Sequence, residues 1–174
     1  AKNGIAGITP VDIDGNGTAD YVYAGDVYGR VWKFDLTSNN SASWNVAYAS
    51  PLYAAQTGGV AQLITVAPEV AKHPTRGILV MFGTGMYLQL SDITDTQQQT
   101  VYGIWDDGSP VASGLTNLQQ QTVTGTTIIT GRTYRTVSSN AVNWSTKKGW
   151  YLNLPTSGER VAVDLLIRNS RVLV

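Results

Sequence analysis

The chain is 174 residues long, enough for one domain with a real core, and its 12 Lys+Arg balance 12 Asp+Glu. That balance leaves no basic surplus for nucleic acid or an anionic membrane, and no apolar run approaches the roughly eighteen residues of a membrane-spanning helix. The absence of cysteine excludes disulfides, thiolate zinc sites and thiol nucleophiles.

Charged residues make up only 14%, while Gly, Thr, Ser, Asn and Gln are plentiful. This profile suits an exported all-β protein better than a cytosolic enzyme. No signal peptide opens the chain. The abrupt start on residues 1–4 and the strand-like end at Arg171-Val172-Leu173-Val174 are those expected of a fragment of something longer.

The first element is a nine-residue loop, Asp12-Ile13-Asp14-Gly15-Asn16-Gly17-Thr18-Ala19-Asp20. Its form, D-x-D-x-N-x-x-x-D, recurs with oxygen-bearing side chains at alternate positions. Asp, Asn and Gly also dominate ordinary turns, but an ordinary turn rarely places four such side chains at positions one, three, five and nine. Ca²⁺ takes six to eight oxygen ligands in a flexible shell. Asp12, Asp14 and Asn16 offer side-chain oxygens, Thr18 a backbone carbonyl and Asp20 the closing carboxylate. Gly15 and Gly17 permit the positive φ that wrapping an ion demands.

The loop is not an EF-hand, which runs to twelve residues, ends in Glu and is flanked by helices. Here Gly4–Val11 leads in with a proline, and Tyr21-Val22-Tyr23-Ala24 follows as a strand. A loop between strands pins a connection rather than opening a helix pair. Its three carboxylates point to the weak affinity of extracellular modules, on the order of 10⁻⁴–10⁻³ M.

After the first strand, Gly25–Arg30 reads as a turn. Val31-Trp32-Lys33-Phe34-Asp35-Leu36 then alternates Val/Lys/Asp against Trp/Phe/Leu, a half-buried strand. A polar connector runs from Thr37 to Ser43. Gln56–Lys72 holds a short turn of helix at most, interrupted by Pro68. Ile78–Gly85 is a buried run with a return strand at Met86–Leu90. Asp92–Gln99 reads as an exposed loop.

Val101-Tyr102-Gly103-Ile104-Trp105 is a further strand closed by a turn at Asp106-Asp107-Gly108. Asn117–Thr127 is either a polar strand or an elaborated loop. Gly149–Leu154 and Arg160–Asp164 flank a turn at Pro155–Gly158. Hairpins recurring at about 45–60 residues suggest propeller blades.

Catalytic constellations are absent. His73 is the sole histidine, so any Ser-His-Asp triad must use it, and it lies in a polar loop that favours a surface or capping role. Paired carboxylates occur only in the Asp12–Asp20 loop and at Asp106-Asp107. Gly83-x-Gly85 is too short for a phosphate loop. Trp32 and Trp150 lie in strand patterns and pack between blades, whereas Trp44, Trp105 and Trp144 leave an aromatic binding surface open.

The motif Val11-Asp12-x-Asp14-Gly15-Asn16-Gly17-x-x-Asp20-Tyr21-Val22-Tyr23-Ala24-Gly25-Asp26-x-x-Gly29-x-x-Trp32-Lys33-Phe34-Asp35-Leu36 closely resembles the calcium-binding blade of the PilY/PilC family, the type IV pilus tip-associated proteins. Phe82-Gly83-Thr84-Gly85-x-Tyr87-Leu88, Val101–Asp106, and Lys148–Leu154 with Gly158–Val161 follow in the order seen in that family's propeller.

The resemblance implies a quinoprotein-like, seven-bladed β-propeller, of which residues 1–174 form an incomplete ring of roughly three to four blades. It implies calcium held by Asp12, Asp14, Asn16, the Thr18 carbonyl and Asp20. It also implies an exported protein at the pilus tip, outer membrane or cell surface of a Gram-negative bacterium. Its partners there are the minor pilins of the tip and a host-surface receptor, and calcium controls pilus extension against retraction, twitching motility and adhesion.

Two other readings compete. Ala24-Gly25-Asp26-x-x-Gly29-Arg30-Val31-Trp32 is similar to the tryptophan-docking repeat of quinoprotein dehydrogenases, but is two residues shorter between Asp and Trp. No vicinal cysteines and no clustered polar ligands for a quinone accompany it, so no enzyme is expected. The second is a structural calcium module, such as an integrin-type propeller repeat binding a protein ligand.

Overall fold

The computed structural model describes residues 3–168 and 171–174. Among these residues strands dominate, and the helical segments are two 3₁₀ turns, Ser41–Ser43 and Leu90–Thr94. The first sheet is an antiparallel meander of β1 (Ile5–Val11), β2 (Tyr21–Asp26), β3 (Arg30–Asp35) and β4 (Asn45–Val46), with β5 (Tyr53–Ala54) also pairing with β3. A small hairpin, β6 (Gln56–Thr57) and β7 (Val60–Ala61), leads into the second sheet.

That sheet begins with β8 (Glu69–Lys72), β9 (Ile78–Gly83) and β10 (Thr100–Asp106), all antiparallel. The chain then forms β11 (Gln119–Gln121) and an exposed ribbon of β12 (Val123–Ile129) with β13 (Arg132–Val137). It returns as β14 (Gly149–Asn153), which pairs antiparallel with β10 and parallel with β11. A last hairpin joins β15 (Leu166–Arg168) to β16 (Arg171–Leu173).

Two antiparallel meanders packed face to face are consecutive blades of an open β-propeller. Against the three to four blades expected, the described residues form two large sheets and three two-stranded ladders.

The main core lies between the sheets. Tyr23 and Val31 of the first sheet meet Val80, Phe82, Tyr102 and Ile104 of the second, with Leu52, Tyr53 and Ile64 closing the gap. Phe82 and Tyr102 stack with ring centroids 5.2 Å apart. A second cluster, Val66, Met81, Val101, Leu154, Val161 and Leu165, covers the far face of the second sheet, with Ile167 and Val172 packed on it. Strand β10 is therefore buried along its whole length, as a central strand with both faces covered must be. Gly103 lies where β10 passes under Trp150, and a Cβ there would stand 2.4 Å from the indole.

Several expectations are corrected. Gln56–Lys72, allowed a short turn of helix at most, forms none, and its paired segments are β6, β7 and β8. The strand returning from β9 is β10, not Met86–Leu90, which is a loop held from two sides. Asp92, expected to be exposed, is buried and accepts the amides of Leu88 and Gln89 at 2.8 and 3.0 Å. Arg160 grips the carbonyls of Met86, Asp92 and Asp95, and Arg160–Asp164 forms no strand. Of the two readings for Asn117–Thr127, strand is observed at β11 and the start of β12. Trp150 packs against the second cluster as expected. Trp32 is half-buried on β3, its indole N–H donating to Asp26 at 2.9 Å.

His73 is likewise not a surface residue. It is only 6% exposed, its ring stacks on Trp105 at 4.5 Å, and the edge of Trp144 meets it at 4.4 Å. Its Nδ1 accepts the Thr75 amide at 3.3 Å. The polar composition of Lys72–Arg76 hid this, because the partners are aromatic residues far along the chain.

Two outcomes follow from this packing. Gly103→Ala forces the indole off its seat and lowers stability by about 1–3 kcal/mol, read from the urea midpoint. Burial lowers the His73 pKa from its ordinary 6.5, so the unfolded chain takes up the proton first. The stabilisation is full above about pH 6.5 and is lost as pH falls through the folded value. The stability difference between wild type and His73→Gln, measured in urea at pH 7.5 and at pH 5, shrinks at the lower pH.

Candidate metal centre

The Asp12–Asp20 loop joins β1 to β2, whose register closes at Val11 opposite Tyr21. The Asp20 amide donates to the Val11 carbonyl at 2.8 Å, so the loop leaves and re-enters the sheet at one point. Gly15 and Gly17 take φ of 80° and 88°, the left-handed region where a side chain is strained. Those two bends turn backbone amides inward. Asp12 accepts Gly15 at 2.6 Å and Asn16 at 3.2 Å on one oxygen, and Gly17 at 2.7 Å on the other. Asp20 reaches back across the loop to accept the Ile13 amide at 2.7 Å.

The result is that Asp12, Asp14 and Asp20 each present an oxygen within 4.8 Å of the others. Asn16 and Thr18 belong to the inner turn. The Asn16 side-chain amide donates to Asp14 at 3.0 Å, and its oxygen accepts the Thr18 amide at 2.8 Å and the Thr18 hydroxyl. The four ion pairs found among the described residues all lie elsewhere. Like charges at this spacing repel, less so where water and salt screen them. Donated amides offset part of this. The Gly17 amide leads, burial opposes it, and the Gly15 and Asn16 amides add to it, so the Asp12 carboxyl is held below its usual range. Three carboxylates converging within 4.8 Å fit a hard cation of calcium's type.

A second polar cluster lies behind the loop, between the sheets. Asp106, the last residue of β10, is 2% exposed. It accepts the hydroxyls of Tyr23 at 2.6 Å and Tyr48 at 2.5 Å and pairs with Lys33 at 2.9 Å. Burial pushes its pKa up, but the Tyr23, Tyr48 and Lys33 hydrogen bonds outweigh it, and the carboxyl stays below its ordinary value. The phenols of Tyr23 and Tyr48 are displaced upward, first by burial and then by the carboxylate beside them. The Lys33 ammonium also lies 4.0 Å from the Tyr21 ring centroid, within cation–π range.

Sequence reasoning took Asp106 for a turn residue and missed this cluster. One signal was available: Lys33 alternates with Val31 on the face of β3 that turns inward, and a charge on a buried face demands a partner. The partner's identity depends on sheet packing. Asp107, its neighbour, is the turn residue, paired with Lys148 at 2.5 Å and Arg76 at 3.5 Å.

Fold and loop together define a propeller segment with an acidic, oxygen-lined loop between the first two strands of a blade. The family model of the PilY1 beta-propeller domain matches residues 1–130, and the chain belongs to that family. It is 40% identical over 194 residues to the type IV pilus biogenesis factor PilY1 of Pseudomonas aeruginosa, covering 90% of this chain and 17% of that protein. It is 34% identical over 182 residues to a PilY1 homolog of Xylella fastidiosa, covering 98% of this chain and 12% of the homolog. The crystal structure of the Pseudomonas aeruginosa PilY1 C-terminal domain superposes with a TM-score of 0.86 at 36% identity, over 95% of this chain and 42% of that one. The chain thus spans a small part of its relatives.

Removing one partner of a buried ion pair strands the other. Lys33→Met is expected to cost about 3–5 kcal/mol of folding stability, measured by chemical denaturation. Arg76→Met removes an exposed side chain at 3.5 Å from an Asp107 that keeps Lys148, and costs under about 1 kcal/mol in the same assay.

Proposed function

We propose that this chain is the calcium-binding part of the propeller of a type IV pilus biogenesis factor, located at the pilus tip or cell surface. In this reading Ca²⁺ is held by Asp12, Asp14, Asn16, the Thr18 carbonyl and Asp20. Its occupancy regulates pilus extension against retraction, and with it twitching and adhesion. The observation that carries the proposal is the convergence of three carboxylates within 4.8 Å on one hairpin loop, in a chain of the PilY1 family. Partners would be the minor pilins of the tip and a host-surface receptor.

The proposed role is regulatory and not catalytic. The sole histidine lies stacked under tryptophan, and Asp106 is committed to Lys33 and two tyrosines. Neither is placed to act as a general base on a bound substrate. At a calcium concentration between one and ten times Kd, the ion stabilises the folded loop by only about 0.4–1.4 kcal/mol. A margin of that size suits reversible occupancy.

A structural role is the competing reading, favoured by the position of the loop at the mouth of β1 and β2. The two separate in Asp20→Ala, tested in the full-length protein. Calcium titration calorimetry is expected to show at least about tenfold weaker binding, the melting temperature without calcium is unchanged, and cells carrying the variant lose calcium-dependent twitching. An unfolded variant supports the structural role, and unaltered calcium affinity removes the site.

A further inference from the structure

We propose that ion occupancy of the Asp12–Asp20 loop and the interlock around Asp106 form one coupled device, the loop setting how firmly the first sheet closes on the second. The inference rests on the calcium reading above and adds to it a path by which the ion acts on the fold.

Two routes lead from the loop to the interlock. The first runs along β2. Asp20 is followed directly by Tyr21, whose ring lies 4.0 Å from the Lys33 ammonium. Two residues further on, the Tyr23 hydroxyl donates to Asp106 at 2.6 Å. The Asp20 carbonyl also accepts the Leu36 amide at 2.8 Å, so the same residue anchors the end of β3, the strand that carries Lys33. Fixing the Asp20 carboxylate on an ion therefore fixes the start of β2 and the end of β3, the two strands that reach Asp106.

The second route crosses directly between sheets. Asp12 and Ile13 line a groove of about 170 Å³ together with Val70, Ala71, Lys72 and Ile78 of the second sheet. Lys72 pairs with Ile78 across β8 and β9, and Ile78 pairs with Asp106 across β9 and β10. Both routes thus end on one row of the second sheet, Lys72–Ile78–Asp106. With the ion absent, mutual repulsion loosens Asp12 and Asp20, the two residues from which the routes begin.

An ion that prefers the closed arrangement shifts the population toward it by its differential affinity. Linkage makes the effect reciprocal: whatever loosens the interlock weakens ion binding by the same factor.

The test uses the full-length protein, CaCl₂ titration calorimetry and amide hydrogen exchange. Tyr48→Phe loses only a hydroxyl on a half-buried ring and keeps the fold; Asp106→Asn is the stronger perturbation. The expected result is a calcium Kd raised at least about threefold in Tyr48→Phe and further in Asp106→Asn. In the wild type calcium slows exchange at Ile78 and across Tyr102–Asp106 by at least about threefold, and this slowing is lost in Asp20→Asn. Calcium binding by wild type with an unchanged Kd in Tyr48→Phe, or with β10 exchange indifferent to calcium, overturns the coupling and leaves the site standing. No calcium uptake by the wild type at millimolar concentration overturns both.

Discussion

A carboxylate buried between two sheets is the constraint on which this structure turns. Asp106 ends the most deeply buried strand of the second sheet, and its charge is met by groups from the first: Lys33 from β3, Tyr23 from β2 and Tyr48 beyond β4. Apolar packing between the sheets is non-directional and tolerates sliding. A buried charge with three specific partners does not, since any slip leaves it unpaired. The surrounding core of Val31, Val80, Phe82 and Ile104 supplies driving force, and the interlock fixes alignment.

The Asp12–Asp20 loop stands at the opposite extreme of exposure. Its carboxylates are gathered by backbone geometry, two left-handed glycines and a ring of inward amides, before any ion is considered. Such preorganisation reduces the ordering cost that a bound cation would meet. Loop and interlock are joined by two strands, and the loop also lines a groove with β8 and β9 of the second sheet. That joins an exposed acidic loop to a buried alignment device through strands alone.

Much of this was legible in the chain itself. The spacing of Asp12, Asp14 and Asp20 is local, so the loop is read from nine residues, and the flanking strands follow from proline before it and aromatic residues after it. β2 declares itself by its aromatic and β-branched run and β3 by alternation, on either side of a glycine-containing turn. What sequence concealed was non-local. Lys33 looks solvent-facing until a second sheet covers it, and Asp106-Asp107-Gly108 has the composition of a turn although its first residue is core. His73 sits in a polar run and finds its aromatic neighbours some thirty and seventy residues away. Arg160 is missed for the same reason, because its partners are backbone carbonyls of a distant loop.

The central claim is that the carboxylates of this loop collect a calcium ion. Crystals of the propeller domain grown in millimolar calcium chloride, with diffraction recorded at a long wavelength, test it most directly. The account predicts an anomalous difference peak inside the loop, with oxygens of Asp12, Asp14, Asn16, Asp20 and the Thr18 carbonyl at about 2.3–2.6 Å. A well-ordered loop with no peak, or a peak held by other residues, would contradict it.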